Sequence, residues 1–308
     1  MDNCSQKEFQ SALHMSSESP AEFPSALHVS TQTQIGRINA TIKLSELARV
    51  LDTSSNILYV EYGDGIKKGT DAKKSLRKHK KKKEKKYFYN QVTIHMPRES
   101  GKRVNMKIFN NGRVQMTGVI KSEQGLEKIY DFVQELNHIS EEDRIKIFGH
   151  SNPIDHLQET ETVLINSNFD IGFEIDRETL HRLIIQTGYY SSFEPCIYPG
   201  VNIKYYYNVL NVTPGICNCE TPCDGKGKGD TCKRITIAAF KSGKIIITGG
   251  KSPENIVTAY EFINLFISEN IDEIQADTGK ETETGTATET ETGTETLGTE
   301  TVGTEETE

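Results

Sequence analysis

Cys217, Cys219, Cys223 and Cys232 lie within sixteen residues of one another, among glycine and aspartate. Thiolates are soft ligands, and four on a short tether can wrap one tetrahedral zinc ion in a structural role. The spacing, Cys-x-Cys-x3-Cys-x8-Cys, is not the common paired Cys-x2-Cys form, and free thiols in a floppy loop would read the same way. The expectation is about one zinc per chain, ordering a Gly-Lys-rich loop that has no core of its own. Cys4 and Cys196 have no evident partner. A catalytic constellation is not found beside the cysteines. The eight histidines are scattered and form no His-Glu-x-x-His, and His95 and His181 fall inside repeated elements where packing or solvent explains them. Gly225-Lys226-Gly227-Lys228-Gly229-Asp230 lacks the Gly-Lys-Ser/Thr ending of a phosphate loop. The chain reads as a binder, not an enzyme.

Charge is divided very unevenly. The whole chain carries −8, but from Asp277 onward ten acidic residues oppose Lys280 alone, and between Lys67 and Lys86 twelve basic residues oppose two acidic ones. What remains is acidic, so net charge is no argument for a nucleic-acid partner; only the local surface that would meet phosphates matters. The Thr/Glu/Gly tail, taken as residues 272–308 and most repetitive from Asp277, cannot bury enough surface to offset its ordering entropy and is expected to be disordered. The Lys-rich run within residues 63–86 is self-repelling and solvated: a mobile loop, a phosphate-binding arm or a nuclear-import signal. Residues 1–24 are polar and Ser-rich, without the apolar core of a signal peptide, and no stretch approaches the roughly 18 apolar residues of a membrane helix. A reducing compartment, unused sequons at Asn39 and Asn211, and no disulfide framework are therefore expected.

The elements that must position any site emerge when the chain is compared with itself. Lys107-Ile108-Phe109-Asn110-Asn111-Gly112-Arg113-Val114-Gln115-Met116-Thr117-Gly118 recurs as Ala238-Ala239-Phe240-Lys241-Ser242-Gly243-Lys244-Ile245-Ile246-Ile247-Thr248-Gly249. An apolar strand ends in Phe, a glycine turn follows, and a second strand ends in Thr-Gly, which is the pattern of a β-hairpin. A helix follows each copy, with Leu126, Ile129, Tyr130 and Val133 on one face in the first and Ile256, Tyr260, Ile263 and Phe266 in the second. Ser252-Pro253-Glu254 suits a helix start. Upstream, Tyr89-x-x-Val92-x-Ile94 matches Tyr198-x-x-Val201-x-Ile203, and Ile38 to Leu47 mirrors Ile171 to Leu180. Four matches in one order predict two α+β repeats, residues 25–137 and 163–271, joined by a linker at 138–162, with a Cys-rich insert at 211–233.

These residues resemble the TATA-binding protein family, whose repeats each carry Phe-x-x-Gly-(Lys/Arg)-x-x-x-Thr-Gly. Ser191-Ser192-Phe193-Glu194-Pro195-Cys196-Ile197-Tyr198-Pro199-Gly200 is similar to a segment of that family's second repeat. Ser30-Thr31-Gln32-Thr33, Tyr87 to Thr93 and the long inserts look closest to the TATA-binding-protein-like proteins of large DNA viruses. The resemblance implies an α+β saddle: a curved antiparallel sheet with helices on its convex face, whose concave face enters the minor groove of double-stranded DNA and bends it. It implies wedge pairs Tyr89 with Phe109 and Tyr198 with Phe240, phosphate contacts from Arg113 and Lys244, and groove-facing Thr117 and Thr248. The alternatives are four ordinary core aromatics and two solvated hairpin charges. Where the family reads the central base pairs with Asn, this chain has Thr31 and Leu164; Thr33 and Asn166 lie two residues on and share their faces, with Asn168 a further substitute. Glu194, Pro195 and Ile197 match the loop that docks the B-type general transcription factor, with Cys196 in place of an acidic residue. The implied role is a transcription initiation factor that recruits this factor and RNA polymerase, in a nucleus or a cytoplasmic viral factory. The alternative is a protein-interaction platform that kept the saddle and lost sequence-specific DNA binding.

Overall fold

The protein was analysed as a computed structural model that describes residues 26–70, 88–150, 160–220 and 223–276. The first repeat contains β1 (His28–Arg37), α1 (Leu44–Val50), β2 (Tyr59–Tyr62), β3 (Ile66–Gly69), β4 (Gln91–Pro97), β5 (Arg103–Phe109), β6 (Arg113–Val119), α2 (Gln124–Asn137) and α3 (Glu141–Phe148). The second contains β7 (Glu161–Asp170), α4 (Arg177–Gln186), β8 (Tyr190–Ser192), β9 (Val201–Tyr207), β10 (Lys233–Ala239), β11 (Lys244–Gly250), α5 (Pro253–Glu269) and α6 (Ile271–Ile274). All eleven strands join one antiparallel sheet in the order β3-β2-β4-β5-β6-β1-β7-β11-β10-β9-β8, so the two repeats meet along β1 and β7. The fold class is the expected α+β. None of the described helices is long and apolar enough to cross a membrane.

Strict alternation gives the sheet one dry and one open face. Val92, Ile94 and Met96 of β4, Val104, Met106 and Ile108 of β5, and Val114 and Met116 of β6 are fully buried, while the residues between them are half-exposed or exposed. The dry face packs under Ile129, Phe132, Val133 and Leu136 of α2 in one core. In the other, Ile203, Ile235, Ile237, Ile245 and Ile247 pack under Ile256, Ala259, Tyr260, Ile263 and Ile267 of α5. Each such Ile or Phe contributes about 1.5–3 kcal/mol by leaving water. Between the two cores the dry side of β1 is polar, with Ser167 of β7 beside it, while Ile165 and Phe169 of β7 belong to the second core. Gln32 donates to the Ile120 carbonyl at 2.9 Å, Gln34 to the Lys121 carbonyl at 3.1 Å, and Ser167 to the Ile247 carbonyl at 3.1 Å.

Both hairpin glycines adopt the positive φ their turns require, 75° at Gly112 and 80° at Gly243. A Cβ there would fall 2.0 Å from the Ile38 carbonyl oxygen and 2.3 Å from that of Phe173, so each turn is also pressed against the loop that leads from β1 into α1 or from β7 into α4. Ser252 caps α5 in a reciprocal capping box with Asn255, and Pro253 opens the helix.

Several expected boundaries shift. The linker holds a real helix, α3, whose Ile147 and Phe148 enter the first core, because Ser140 caps it and an apolar pair ends it. The Lys-rich insert starts later than residue 63, since Ile66–Gly69 pairs with β2 as an edge strand. Lys233, placed in the Cys-rich insert, opens β10. The second repeat runs on to Ala276: Ile274 is fully buried, Gln275 bridges to Ile175, and Ala276 donates to the Glu174 carbonyl at 2.8 Å. Of the first helix's expected apolar face, Ile129 and Val133 are buried but Leu126 and Tyr130 point outward, Phe132 and Leu136 taking their place. The expectations for the N-terminal segment, the Lys-rich run from 71 to 87 and the tail from Asp277 lie outside the described residues.

Candidate nucleic-acid interface

Alternation along each strand decides what the open face presents. Arg37, Lys67, Arg103, Lys107 and Arg113 lie there in the first repeat, and Lys204, Arg234 and Lys244 in the second. The acids of that face are Glu61, Glu161 and Asp170, and Lys67 stands 3.9 Å from Glu61. The helix layer has the opposite balance: α2, α3, α5 and α6 carry Glu127, Asp131, Glu135, Glu141, Glu142, Asp143, Glu254, Glu261, Glu269, Asp272 and Glu273 against Lys128, Arg144 and Lys146, and α1 and α4 add Glu46 and Glu178 against Arg49, Arg177 and Arg182. An acidic body thus hides a cationic sheet surface. Lys204, half-buried there, donates to the Thr236 hydroxyl at 3.0 Å; burial and then the charge of Arg234 hold its pKa below the usual lysine value.

The two aromatic pairs are not equivalent. Tyr198 and Phe240 stand edge-to-face at 5.8 Å between ring centroids at the Phe-x-x-Gly end of the second hairpin, with Tyr198 exposed and Phe240 half-exposed. In the first repeat Phe109 is similarly half-exposed, but Tyr89 makes its ring contact with Tyr62, edge-on at 6.0 Å, and its ring covers Gly63. A hydrogen bond to Asp64, with some burial, raises the Tyr89 pKa. The repeats also differ two residues on. A Cβ at Gly200 would fall 2.9 Å from the Tyr198 ring and 3.2 Å from the Phe240 ring, so only glycine lets that pair close. The matching residue in the first repeat is Gln91, the cross-strand partner of Phe109, whose amide donates to the Thr93 hydroxyl at 3.3 Å. The expected grouping of Tyr89 with Phe109 is therefore not what the structure shows.

At the repeat junction Thr31 faces Asn166 and Thr33 faces Leu164 across the β1–β7 ladder, while Thr117 pairs with Thr33 and Thr248 with Asn166. All six belong to the open face. Asn166 donates to the Thr31 hydroxyl at 3.2 Å and accepts from Thr248 at 2.5 Å, which fixes its amide orientation and leaves one N–H over. The other half, with Leu164 in the matching place, is less polar. Asn168 lies one step further along the same face, opposite His28. Glu194, Pro195, Cys196 and Ile197 are exposed beside Tyr198, and Ile197 is 81% exposed. Arg113 and Lys244 are exposed at the two hairpin turns.

The cysteines sit at the far end of β9 and β10 from the aromatic pair. The sulfurs of Cys217, Cys219, Cys223 and Cys232 all lie within 4.8 Å of one another, so the four could hold a metal ion. Burial, then the nearby Cys219 and Cys217, pushes the Cys232 thiol up to about 12; the Cys232 backbone N–H directed at its sulfur is the main influence that lowers Cys219.

With this geometry in hand, the comparisons with known proteins can be placed. Residues 161–269 match the family model described as transcription factor TFIID, or TATA-binding protein. The match runs from the first residue of β7 to the last of α5. Over these residues the chain is similar to the TATA-binding protein family. It is 29% identical over 235 residues to the TATA-box-binding protein-like protein of Acanthamoeba polyphaga mimivirus, which covers 71% of this chain and 58% of that relative. The chain thus spans a little over half the length of that relative. A solved structure of the Methanococcus jannaschii TATA-binding protein aligns with a TM-score of 0.46 at 18% identity, over 79% of this chain and 98% of that one. The resemblance named the hairpin residues and missed Lys204, Arg234, Tyr190 and Tyr206, which share the open face. Period-two counting from the buried isoleucines of β9 and β10 was the signal that could have found them.

Proposed function

We propose that this protein is a DNA-binding transcription initiation factor that lays a duplex minor groove along the open face of the sheet and bends it. The observation that carries this reading is the segregation of charge: cations and half-exposed aromatics on the open sheet face, acids on the helix layer. Phosphates would meet Arg113 and Lys244, and base edges in the groove would meet Thr31, Thr33, Asn166, Thr117 and Thr248. The minor groove of an A·T pair offers acceptors only, which suits the remaining Asn166 N–H and the hydroxyl groups. Tyr198 and Phe240 form the better wedge, since they stand together and accessible. Glu194, Pro195 and Ile197 form an exposed loop next to that wedge, placed to receive a B-type general transcription factor and, through it, RNA polymerase. The setting that fits a relative from a large DNA virus is a viral promoter, in a nucleus or a cytoplasmic viral factory.

The test is a titration of A·T-rich duplexes labelled at both ends, read by anisotropy for binding and by energy transfer for bending, at several salt concentrations. Binding with a shortened end-to-end distance supports the reading. Negligible binding at low salt, together with tight binding to a transcription protein, would favour an interaction platform without DNA affinity. Leu164 at a central groove position is the observation on the side of that second reading.

A further inference from the structure

We infer that the connection between β9 and β10 is a zinc knuckle: Cys217, Cys219, Cys223 and Cys232 bind one Zn(II) as a closed tetrathiolate, and the ion serves this segment as its core. Two independent observations carry it. The first is the sulfur geometry. In a tetrahedral shell with zinc–sulfur bonds of about 2.3 Å, the sulfurs stand roughly 3.8 Å apart. Here every sulfur lies within 4.8 Å of the other three, and Cys219 and Cys232 stand 3.5 Å apart. A pair of disulfides would bring sulfurs together two at a time; four mutually close thiols around one point is the arrangement of a metal site.

The second observation is what the segment lacks. Among the described residues between Asn208 and Thr231 none belongs to either hydrophobic core; Ile216 is half-buried, and the other bulky apolar residues are turned out, Val209 81%, Leu210 70% and Val212 86% exposed. Cys232 is the one buried residue that takes part in the cluster. A segment of this length with so little buried apolar surface does not hold a fold unaided, and small units of this kind are stapled by metal or disulfide. Yet its described backbone is fixed at both ends. Tyr206 donates to the Gly215 carbonyl at 2.9 Å, Gly227 to that of Cys232 at 3.0 Å, and Arg234 to that of Gly225 at 2.9 Å. These three bonds flank the sulfur cluster, so the ion would close a loop whose ends β9 and β10 already clamp.

All four positions are taken by protein sulfur, which leaves no open coordination site for a substrate or water, so the role is structural. Soft thiolates in a tetrahedral set select Zn(II) or an iron–sulfur centre over Mg(II) or Ca(II). Coupling of metal to local order then follows, because the binding free energy is also the folding free energy of the segment. Gly225 lies against the Arg234 side chain, where a Cβ would fall 2.6 Å from the Arg234 Cβ, so the knuckle also holds this open-face cation in place. The inference stands apart from the DNA-binding reading and needs no DNA for its test.

The full chain, purified under reduction without chelator, should contain one zinc per chain by elemental analysis. After exchange, Co(II) should give the intense visible bands and thiolate charge-transfer band of a tetrahedral sulfur site. Cys219→Ser and Cys223→Ser should lose the bound equivalent, and Cys196→Ser, a change at an exposed cysteine outside the cluster, should keep it. Chelation should open residues 208–232 to limited proteolysis while the rest of the sheet stays resistant. Protein that takes up neither zinc nor cobalt, that carries iron in their place, or that shows a disulfide within the cluster under non-reducing mass analysis would overturn the inference. The cobalt titration of the unaltered chain decides the matter even where a serine variant fails to fold.

Discussion

Residues of one type play different parts in the two repeats, and the difference is set by their neighbours. Tyr198 and Phe240 close into a pair where Gly200 leaves room; Tyr89, followed by Gln91 in the place of that glycine, turns to Tyr62 and Gly63. Alanine at Phe240 or Tyr198 should therefore weaken duplex binding about tenfold or more, from stacking of roughly 1–3 kcal/mol per base, and reduce bending. Tyr89→Ala should cost clearly less, and equal losses from all three in an energy-transfer titration would contradict the asymmetry. Asn166→Ala should relax the preference for A·T over G·C in a selection of bound duplexes, with affinity for a mixed-sequence duplex little changed. The Phe-x-x-Gly skeleton was legible in the sequence because each hairpin is a local pattern. The placement of Tyr89 was not, because it depends on the β2–β3 turn brought in from outside the repeat match.

Elements show where periodicity suffices and where context wins. The β alternation of β4, β5 and β6 could be read directly, since one face is wholly buried. Helix α2 was read in the right place, but a wide apolar stripe does not say which edge faces the sheet; Leu126 and Tyr130 lie exposed beside Glu123, Glu127 and Asp131. Helix α6 was lost to the tail because its composition is acidic, and only tertiary contact buries Ile274. Two stability predictions belong here. Gly112→Ala should destabilise by about 2 kcal/mol or more in denaturant titrations, since it combines a positive φ with collision against the Ile38 carbonyl. Asp176 caps α4, accepting from Glu178 and Thr179, and the Thr179 hydroxyl foremost holds its pKa below the ordinary carboxylate value. Asp176→Ala should cost about 1 kcal/mol at neutral pH. Because the folded pKa is depressed, that contribution is present above the ordinary aspartate range and lost on acidification, so the melting curves of variant and parent should converge as pH falls.

The whole molecule separates charge by layer, and this governs how it would respond to salt. If the open face meets phosphates, log K should fall linearly with log salt, with a slope of about −0.9 per phosphate neutralised, and Lys244→Ala should make it shallower by about 1. A slope unchanged by Lys244→Ala would remove that residue from the contact. The polar seam has a consequence of its own. Gln32, Gln34 and Ser167 separate the two buried cores, and of the first repeat Leu27 and Val29 pack against the second core, so β1 and β7 bind the halves chiefly through main-chain ladder and amide groups. Cooperative melting is transmitted by shared apolar burial, and here little is shared. Gradual denaturation followed by amide exchange should accordingly release one half while the other still protects its strands: a protein written as a duplication would come apart as one.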